Sequence, residues 1–76
     1  MDMNEYGQRL VRLQGRLAAQ GLGGALLTAF TDIYYFSGTR QNSVLWAPAS
    51  GPAILLAKKS FSRAKEDSPW LDVRPF

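Results

Sequence analysis

Residues 18–40 read AAQGLGGALLTAFTDIYYFSGTR and contain the features that decide the fold. The run before Gly21 is compatible with a helix, and a glycine there can adopt the left-handed conformation that ends one. Residues 25–30 are almost all apolar without alternation, which predicts a central strand buried on both faces. Three aromatic residues then lead through a Ser-Gly pair to Arg40. The stretch therefore predicts a helix end, a turn, a strand and an aromatic segment that serves either packing or chemistry.

The segment before this stretch has the spacing of an amphipathic helix. Its apolar side chains recur at intervals of four, three and four residues, at Tyr6, Leu10, Leu13 and Leu17. Asn4 is the expected N-cap, and Glu5 lies in the first turn, where a negative charge is favourable against the helix dipole. We therefore predict a helix over residues 4–20 with one apolar stripe.

Two apolar segments follow Arg40 and predict a hairpin. They are residues 43–48 (SVLWAP) and residues 53–57 (AILLA), with Gly51 and Pro52 between them. Glycine and proline are the strongest turn signals between two strand-like runs, so the two segments are expected to pair.

A short helix and a last strand complete the pattern. The helix is expected to be capped by Ser60 or Ser62 and to stop before Pro69, because a proline disfavours helical geometry at the residue that precedes it. Residues 71–74 alternate apolar and charged side chains, which predicts a half-buried strand. Two strands joined by a crossover helix form a right-handed parallel unit. The predicted class is therefore α/β, with a small mixed β-sheet and flanking helices.

The composition restricts the classes of function. A chain of 76 residues suits one small domain, which buries only about 60% of the surface of its unfolded chain. The sequence has no cysteine and no histidine, so it lacks disulfides, thiolate metal ligands and histidine-based catalysis. Of its acidic residues, the adjacent pair Glu66 and Asp67 indicates a solvated helix face rather than a metal site. We predict no catalytic residue, metal or cofactor site in this chain.

The charge balance leaves one alternative open. Nine Lys and Arg against six acidic residues give a net charge of +3. Arg9, Arg12 and Arg16 share one side of the first predicted helix, but no known nucleic-acid motif accompanies them. A solvated face is the favoured interpretation, and a stand-alone basic module for an anionic partner or nucleic acid is the alternative. No apolar run approaches the roughly 18 residues that span a membrane, and residues 1–5 do not resemble a signal peptide, so we expect a cytoplasmic protein.

Residues 18–40 resemble the opening of the creatinase/prolidase N-terminal domain, which precedes the catalytic domain of M24-type Xaa-Pro peptidases such as aminopeptidase P and prolidase. The family pattern is a helix ending in a glycine turn, an apolar strand and an Asn-Ile-x-Tyr-Leu-Ser/Thr-Gly-like segment. The residues that match this segment are Asp32, Ile33, Tyr34, Tyr35, Phe36, Ser37 and Gly38. Asp32 replaces Asn, and Phe36 replaces Leu. The order of the later elements extends the resemblance over essentially the whole chain.

The resemblance implies an architecture larger than these residues. It implies a ribonuclease H-like sheet with a strand order like 3-2-1-4-5, incomplete here because another helix and strand normally follow. Residues 1–76 are then an N-terminal, non-catalytic part. The catalytic "pita-bread" domain, where five ligands hold two divalent ions (Mn, Co or Zn), is absent from them.

The resemblance also implies a function. The full-length protein is expected to hydrolyse Xaa-Pro peptide bonds as a metallopeptidase, while this part contributes to oligomerisation and substrate access. A creatinase-like hydrolase that cleaves another C–N bond is the alternative parent. The implied partners are the chain's own catalytic domain, further copies in a homo-oligomer and a peptide substrate.

The matched segment is divided between packing and substrate access. A helical turn over residues 31–37, capped by Thr31 or Asp32, is expected to pack Ile33, Tyr35 and Phe36 into the core and to end at Gly38. The resemblance implies that the following loop approaches the active-site mouth. Arg40 is thus the substrate-proximal candidate, because a guanidinium can hold a carboxylate through two parallel hydrogen bonds. An exposed, merely solvated Arg40 is the alternative.

The last strand carries an expectation about assembly. In the implied strand order, residues 71–74 lack the neighbour that would cover their outer edge. An open edge presents unpaired backbone donors and acceptors that recruit another strand. We therefore expect the chain to self-associate or to be only marginally folded.

Overall fold

The computed structural model describes residues 4–76, which form three helices and one four-stranded sheet. In chain order the elements are α1 (Glu5–Ala19), β1 (Gly24–Leu27), α2 (Phe30–Ser37), β2 (Ser43–Pro48), β3 (Ile54–Ala57), α3 (Phe61–Asp67) and β4 (Asp72–Pro75). The strands lie in the order β1-β2-β3-β4. The first two pairs are antiparallel and β3–β4 is parallel, so the mixed sheet and the α/β class are confirmed. No helix within residues 4–76 is long and apolar enough to cross a membrane.

Helix α1 begins and ends where the sequence predicts. The Asn4 Oδ1 atom accepts a hydrogen bond from the Gly7 amide at 2.7 Å. At the other end, Gly21 has a φ of 75°, and the Leu22 amide donates to the Leu17 carbonyl at 2.9 Å. This six-to-one bond is part of a Schellman motif, which satisfies carbonyls that the helix leaves without partners.

The prediction of a central strand over residues 25–30 is wrong. Strand β1 ends at Leu27 and lies at an edge of the described sheet, while Phe30 already belongs to α2. Leu26 and Phe30 are each 60% exposed. An unbroken apolar run gives no information about neighbours, so it does not distinguish a strand buried on both faces from an edge strand that leads into a helix.

The expected 3-2-1-4-5 strand order is also wrong. Strand β4 pairs with β3, not with β1, and the register places Leu55 beside Val73. Helix α3 is thus a crossover between adjacent parallel strands, as parallel pairing requires. The predicted hairpin is confirmed, since β2 and β3 pair directly with Leu45 opposite Leu55.

The last helix and strand differ from prediction in detail only. Ser60 is the N-cap of α3, but it has a left-handed φ of 54° and its side chain makes no capping bond. The helix ends at Asp67, before Pro69, as predicted. In β4, Val73 is buried while its charged neighbours are exposed, so the predicted alternation is confirmed.

The core lies on one face of the sheet. Its strand residues are Leu45, Ala47, Leu55, Ala57 and Val73, and its helix residues are Leu10, Ile33 and Ala64. Each of the three helices contributes to this cluster, so all of them cover the same face. Within residues 4–76, the opposite face of the sheet has no helix over it.

Candidate functional site at the end of α2

Helix α2 carries the aromatic segment. It begins after Ala29 without a side-chain capping bond, so the predicted caps at Thr31 and Asp32 are wrong. Both residues lie inside the helix, because the helix starts earlier than the segment predicts. Asp32 is exposed in the first turn, where its negative charge suits the helix dipole. Ile33 is 2% exposed and belongs to the core, as predicted.

Phe36 packs against the core, whereas Tyr35 lies at the surface. Tyr35 is 49% exposed, so the prediction that it is buried is wrong. Residues two apart on a helix do not share a face, and Ile33 already occupies the inward direction. Tyr35 instead contacts the ring of Phe36 edge to face, with centroids 4.9 Å apart. The Arg9 guanidinium carbon lies 4.2 Å from the ring centroid of Tyr35, and this contact ties α2 to α1.

Gly38 ends α2 in the left-handed conformation, as predicted. Its φ is 82°, and its amide donates to the Tyr34 carbonyl at 2.9 Å. A Cβ at this position would lie 3.0 Å from the ring of Tyr6. That ring stacks in turn on Trp70, with centroids 6.2 Å apart and planes 5° from parallel. The glycine therefore also allows the close approach of α1.

Buried hydroxyl groups fix the loop that follows α2. The Ser37 hydroxyl donates to the Ile33 carbonyl at 2.6 Å, and the Ser68 hydroxyl donates to the Ser37 carbonyl at 2.6 Å. The Thr39 hydroxyl donates to Asp67 Oδ2 at 3.0 Å. All three hydroxyl residues are fully buried. Because a buried polar group without a partner is costly, these bonds hold the ends of α2 and α3 together.

Sequence reasoning missed this network. Its members are separated by about thirty positions, and small hydroxyl residues near helix ends are common in solvent as well as in cores. The available signal was that both Ser37 and Ser68 end a predicted helix. Nothing in the sequence placed those two ends against each other.

Arg40 lies exposed on the fixed loop. Its backbone amide is 3.5 Å from Asp67 Oδ2, and its guanidinium carbon is 5.4 Å from the ring centroid of Tyr34. Hydrogen bonding with Arg40, and then the charge of Arg40, lower the pKa of the Tyr34 phenol from its ordinary value. No carboxylate within residues 4–76 forms a salt bridge with this guanidinium. The pair therefore offers a cation and a phenol to an incoming polar group.

The matched segment does not converge on one site. Ile33 and Ser37 point inward and are structural, whereas Tyr34 and Arg40 face solvent together. A separate groove of about 340 Å³ lies between α1 and residues 51–53 and 70–72, with a mainly apolar lining.

The acidic residues do not fit the divalent ions that the resemblance implies. Within residues 4–76, no three acidic side chains lie close enough together to hold a metal ion. The sequence supplies no histidine or cysteine to complete such a set. The ligands for a dinuclear centre are therefore not assembled by the part of the chain that the structure describes.

Comparison with known proteins identifies the fold family. A family model of the creatinase/prolidase N-terminal domain matches residues 9–76. The N-terminal domain of the cytoplasmic peptidase PepQ from Mycobacterium tuberculosis H37Rv is 26% identical over 91% of this chain, with a TM-score of 0.84. The creatinase/prolidase-like N-terminal domain of a Corynebacterium diphtheriae protein described as a metallopeptidase is 25% identical over 96% of the chain, with a TM-score of 0.86.

A third solved structure supports the fold alone. The dipeptidase PepE from Mycobacterium ulcerans is 24% identical over 93% of this chain, with a TM-score of 0.78. The chain spans 55% and 60% of the two solved domains and 22% of the dipeptidase. No curated protein sequence matches it significantly. Since the family model covers nearly the whole sequence and the observed fold is that of the solved domains, the chain belongs to the creatinase/prolidase N-terminal domain family.

Proposed function

We propose that this chain is the N-terminal, non-catalytic part of an Xaa-Pro peptidase-like metallohydrolase, where it contributes to oligomerisation and substrate access. The observation that carries the proposal is the family match over residues 9–76, together with a fold shared with the N-terminal domains of peptidases. Hydrolysis is assigned to a catalytic domain outside these residues, where two divalent ions (Mn, Co or Zn) supply Lewis-acid chemistry.

Within this function, Arg40 is the residue that we assign to substrate access. Support comes from its exposed guanidinium, which has no salt bridge to the described residues, and from the hydrogen bond between Thr39 and Asp67 that fixes its loop. A guanidinium binds a carboxylate through two parallel hydrogen bonds, and the neighbouring Tyr34 hydroxyl adds another polar contact. Arg40 is thereby suited to hold the carboxylate end of a short peptide.

The division of labour is tested on the 76-residue chain itself. Calorimetric titration with Mn²⁺ or Co²⁺ is expected to show no stoichiometric binding, because the described residues assemble no ligand set. An Xaa-Pro dipeptidase assay on the same material is expected to show no hydrolysis. Tight binding of one ion per chain, or turnover above the buffer rate, would refute the assignment of catalysis to another domain.

A second candidate function is a binding module for an anionic partner or nucleic acid. It is favoured by a small notch that Arg9, Arg12 and Arg16 line together with Tyr35. Among these arginines only Arg9 has a salt bridge, to Glu5 at 3.3 Å, within the described residues. Contacts with phosphate weaken steeply between about 50 and 200 mM salt. Micromolar oligonucleotide binding at physiological salt would favour this candidate over the peptidase domain.

The identity of the parent hydrolase is tested on the longer protein. A peptidase parent is expected to release Xaa from Xaa-Pro substrates. Activity on a creatine-like C–N bond, with no release from Xaa-Pro peptides, would replace the peptidase by a creatinase-like parent.

A further inference from the structure

The small notch between α1 and α2 collects three guanidinium groups. The residues that line it are Arg9, Arg12, Leu13 and Arg16 of α1 and Tyr35 and Phe36 of α2. Like charges three and four residues apart on a helix repel each other. Glu5 is the only acidic residue of α1, and its carboxylate pairs with Arg9 at 3.3 Å. Helix α1 therefore leaves an excess of positive charge at the notch.

Arg9 is a fixed part of the notch wall. Its side chain is only 19% exposed, and its Nη1 atom donates to the Tyr35 carbonyl at 2.8 Å. The guanidinium carbon lies 4.2 Å from the ring centroid of Tyr35 and 5.2 Å from that of Tyr6. A guanidinium has five N–H donors, so these contacts leave some of them for a ligand. Because the side chain is already held in place, binding such a ligand costs little further conformational entropy.

Arg12 and Arg16 supply adjustable donors beside this fixed charge. Both are exposed, and neither forms a salt bridge within residues 4–76. They are one helical turn apart, so both can reach the same ligand. The planar fork of each guanidinium matches the spacing of two oxygen atoms of a phosphate group. The three arginines together therefore suit an oxyanion with several acceptor oxygens.

The size of the notch restricts the ligand. Its volume is about 40 Å³. A water molecule needs roughly 10–15 Å³ of such space, so the notch has room for about three waters, which suits one phosphate group and not a nucleobase. Binding of single-stranded nucleic acid also relies on aromatic rings that are free to stack on bases, and Arg9 already lies against the ring of Tyr35.

We propose that Arg9, Arg12 and Arg16 bind one phosphate-class oxyanion in this notch, either inorganic phosphate or the phosphate group of a monoester. The proposal rests on the second candidate function, the binding of an anionic partner, and narrows it from nucleic acid to a single phosphate group. It does not depend on which hydrolase the parent protein is.

The expected affinity is modest. Ion pairs in contact with water are individually weak, so we expect a dissociation constant of about 1 mM for phosphate. The Glu5 carboxylate, which is 73% exposed, opposes an anion beside Arg9. Its removal in Glu5→Gln is therefore expected to tighten phosphate binding severalfold. Unchanged or weaker binding by this variant would contradict the placement of the anion at Arg9.

An NMR titration of the full 76-residue chain with sodium phosphate, at an ionic strength kept constant with sodium chloride, tests the proposal. One saturable site is expected, with the largest amide shifts at residues 9–16 and 35–36. Arg12→Gln and Arg16→Gln are each expected to weaken binding by about threefold, as the loss of one exposed ion pair implies, and the double variant to weaken it further. The amide spectrum also reports whether each variant is folded.

The matched control is Arg63→Gln, which removes the same charge from the exposed side of α3, outside the notch. It is expected to bind phosphate like the unaltered chain. Equal weakening by Arg63→Gln, or shifts spread over all basic residues, would indicate general screening and overturn the proposal. Micromolar oligonucleotide binding without phosphate binding would also overturn it, while leaving the second candidate function in place.

Equilibrium dialysis with radiolabelled phosphate extends the comparison to the longer protein. The difference in bound phosphate between Arg63→Gln and the double variant of Arg12 and Arg16 reports the notch alone, because any other phosphate site is common to both. The double variant is expected to bind about one phosphate fewer per chain. Equal binding by the two proteins would show that the rest of the protein covers or neutralises these arginines, and it would refute the proposal. Hydrolysis of Xaa-Pro peptides, measured separately, is unaffected by either result.

Discussion

At the scale of single residues, Gly38 is required both by its backbone conformation and by the space around it. Its φ of 82° lies in the left-handed region, and a Cβ would lie 3.0 Å from the ring of Tyr6. We expect Gly38→Ala to lower the free energy of unfolding by about 2 kcal/mol, measured by urea denaturation. Gly15→Ala is the control, because Gly15 lies within α1 and an added Cβ there has no atom within 4 Å. This variant is expected to raise the free energy of unfolding by up to about 1 kcal/mol. Equal effects of the two changes would contradict this account.

The pair of Tyr34 and Arg40 predicts an altered titration. Hydrogen bonding with Arg40 and its positive charge favour the phenolate, so the pKa of Tyr34 is lowered in the folded chain. A lowered folded-state pKa contributes stability that is fully present above the unfolded pKa and is lost as the pH falls through the folded value. We expect Arg40→Ala to move this titration to higher pH, measured by phenolate absorbance. Tyr34→Phe serves to assign the signal, and an unchanged titration in Arg40→Ala would show that the two groups do not interact.

The proposed substrate role of Arg40 predicts a change in kinetics of the longer protein. Losing a charge-assisted contact with the substrate carboxylate is expected to raise KM about tenfold or more in Arg40→Ala, with a smaller effect on kcat. The KM of Arg40→Lys is expected to lie between those of the unaltered protein and Arg40→Ala, because an ammonium keeps the charge but cannot donate two parallel hydrogen bonds. Arg63→Ala, on the exposed side of α3, is the control. An unchanged KM in Arg40→Ala would leave Arg40 as a solvated residue only.

Sequence rules correctly predicted the structural roles of residues that depend only on their neighbours along the chain. Asn4 as a cap and the two helix-ending glycines, Gly21 and Gly38, follow from backbone geometry alone. Tyr35 was mispredicted because its surface position depends on Arg9, a residue of another helix. Side-chain contacts between elements are not encoded in local spacing.

At the scale of elements, the buried hydroxyl network joins α2 to α3. Ser68→Ala would leave the buried Ser37 carbonyl without this donor. We expect it to lower the free energy of unfolding by about 1–3 kcal/mol in urea denaturation, because an unsatisfied buried acceptor loses its solvation without compensation. Ser62→Ala, on the exposed surface of α3, is expected to have almost no effect. Equal stability of the two variants would show that the bond is dispensable.

Element types were predictable, but their arrangement was not. The hairpin followed from its turn residues, and the crossover from the order of β3, α3 and β4. The position of β1 at an edge depends on which strands pair, and hydrophobic periodicity reports burial along one segment only. The candidate site is equally partial. The sequence singles out Arg40, whose role in substrate access stays a prediction, but it does not indicate the loop contacts that fix this residue.

At the scale of the whole molecule, the three helices of residues 4–76 lie on one face of the sheet. Strands β1 and β4 each have one neighbour among the described residues, so both leave an open edge. The β4 edge is short, and Pro75 and the charges of Asp72 and Arg74 oppose pairing with another strand. Self-association through that edge stays a prediction.

Association should be visible in the stability of the chain. A domain of this size has a thin core, and any contact made only by the folded state stabilises it by mass action. We therefore expect the midpoint of thermal unfolding to rise with chain concentration, by about 5 °C between dilute and millimolar solution, since 1 kcal/mol shifts a domain of this length by roughly that amount. Cooperative unfolding of the unaltered chain at a concentration-independent temperature, with a monomeric mass throughout, would show that one covered face and two open edges suffice for a stable monomer.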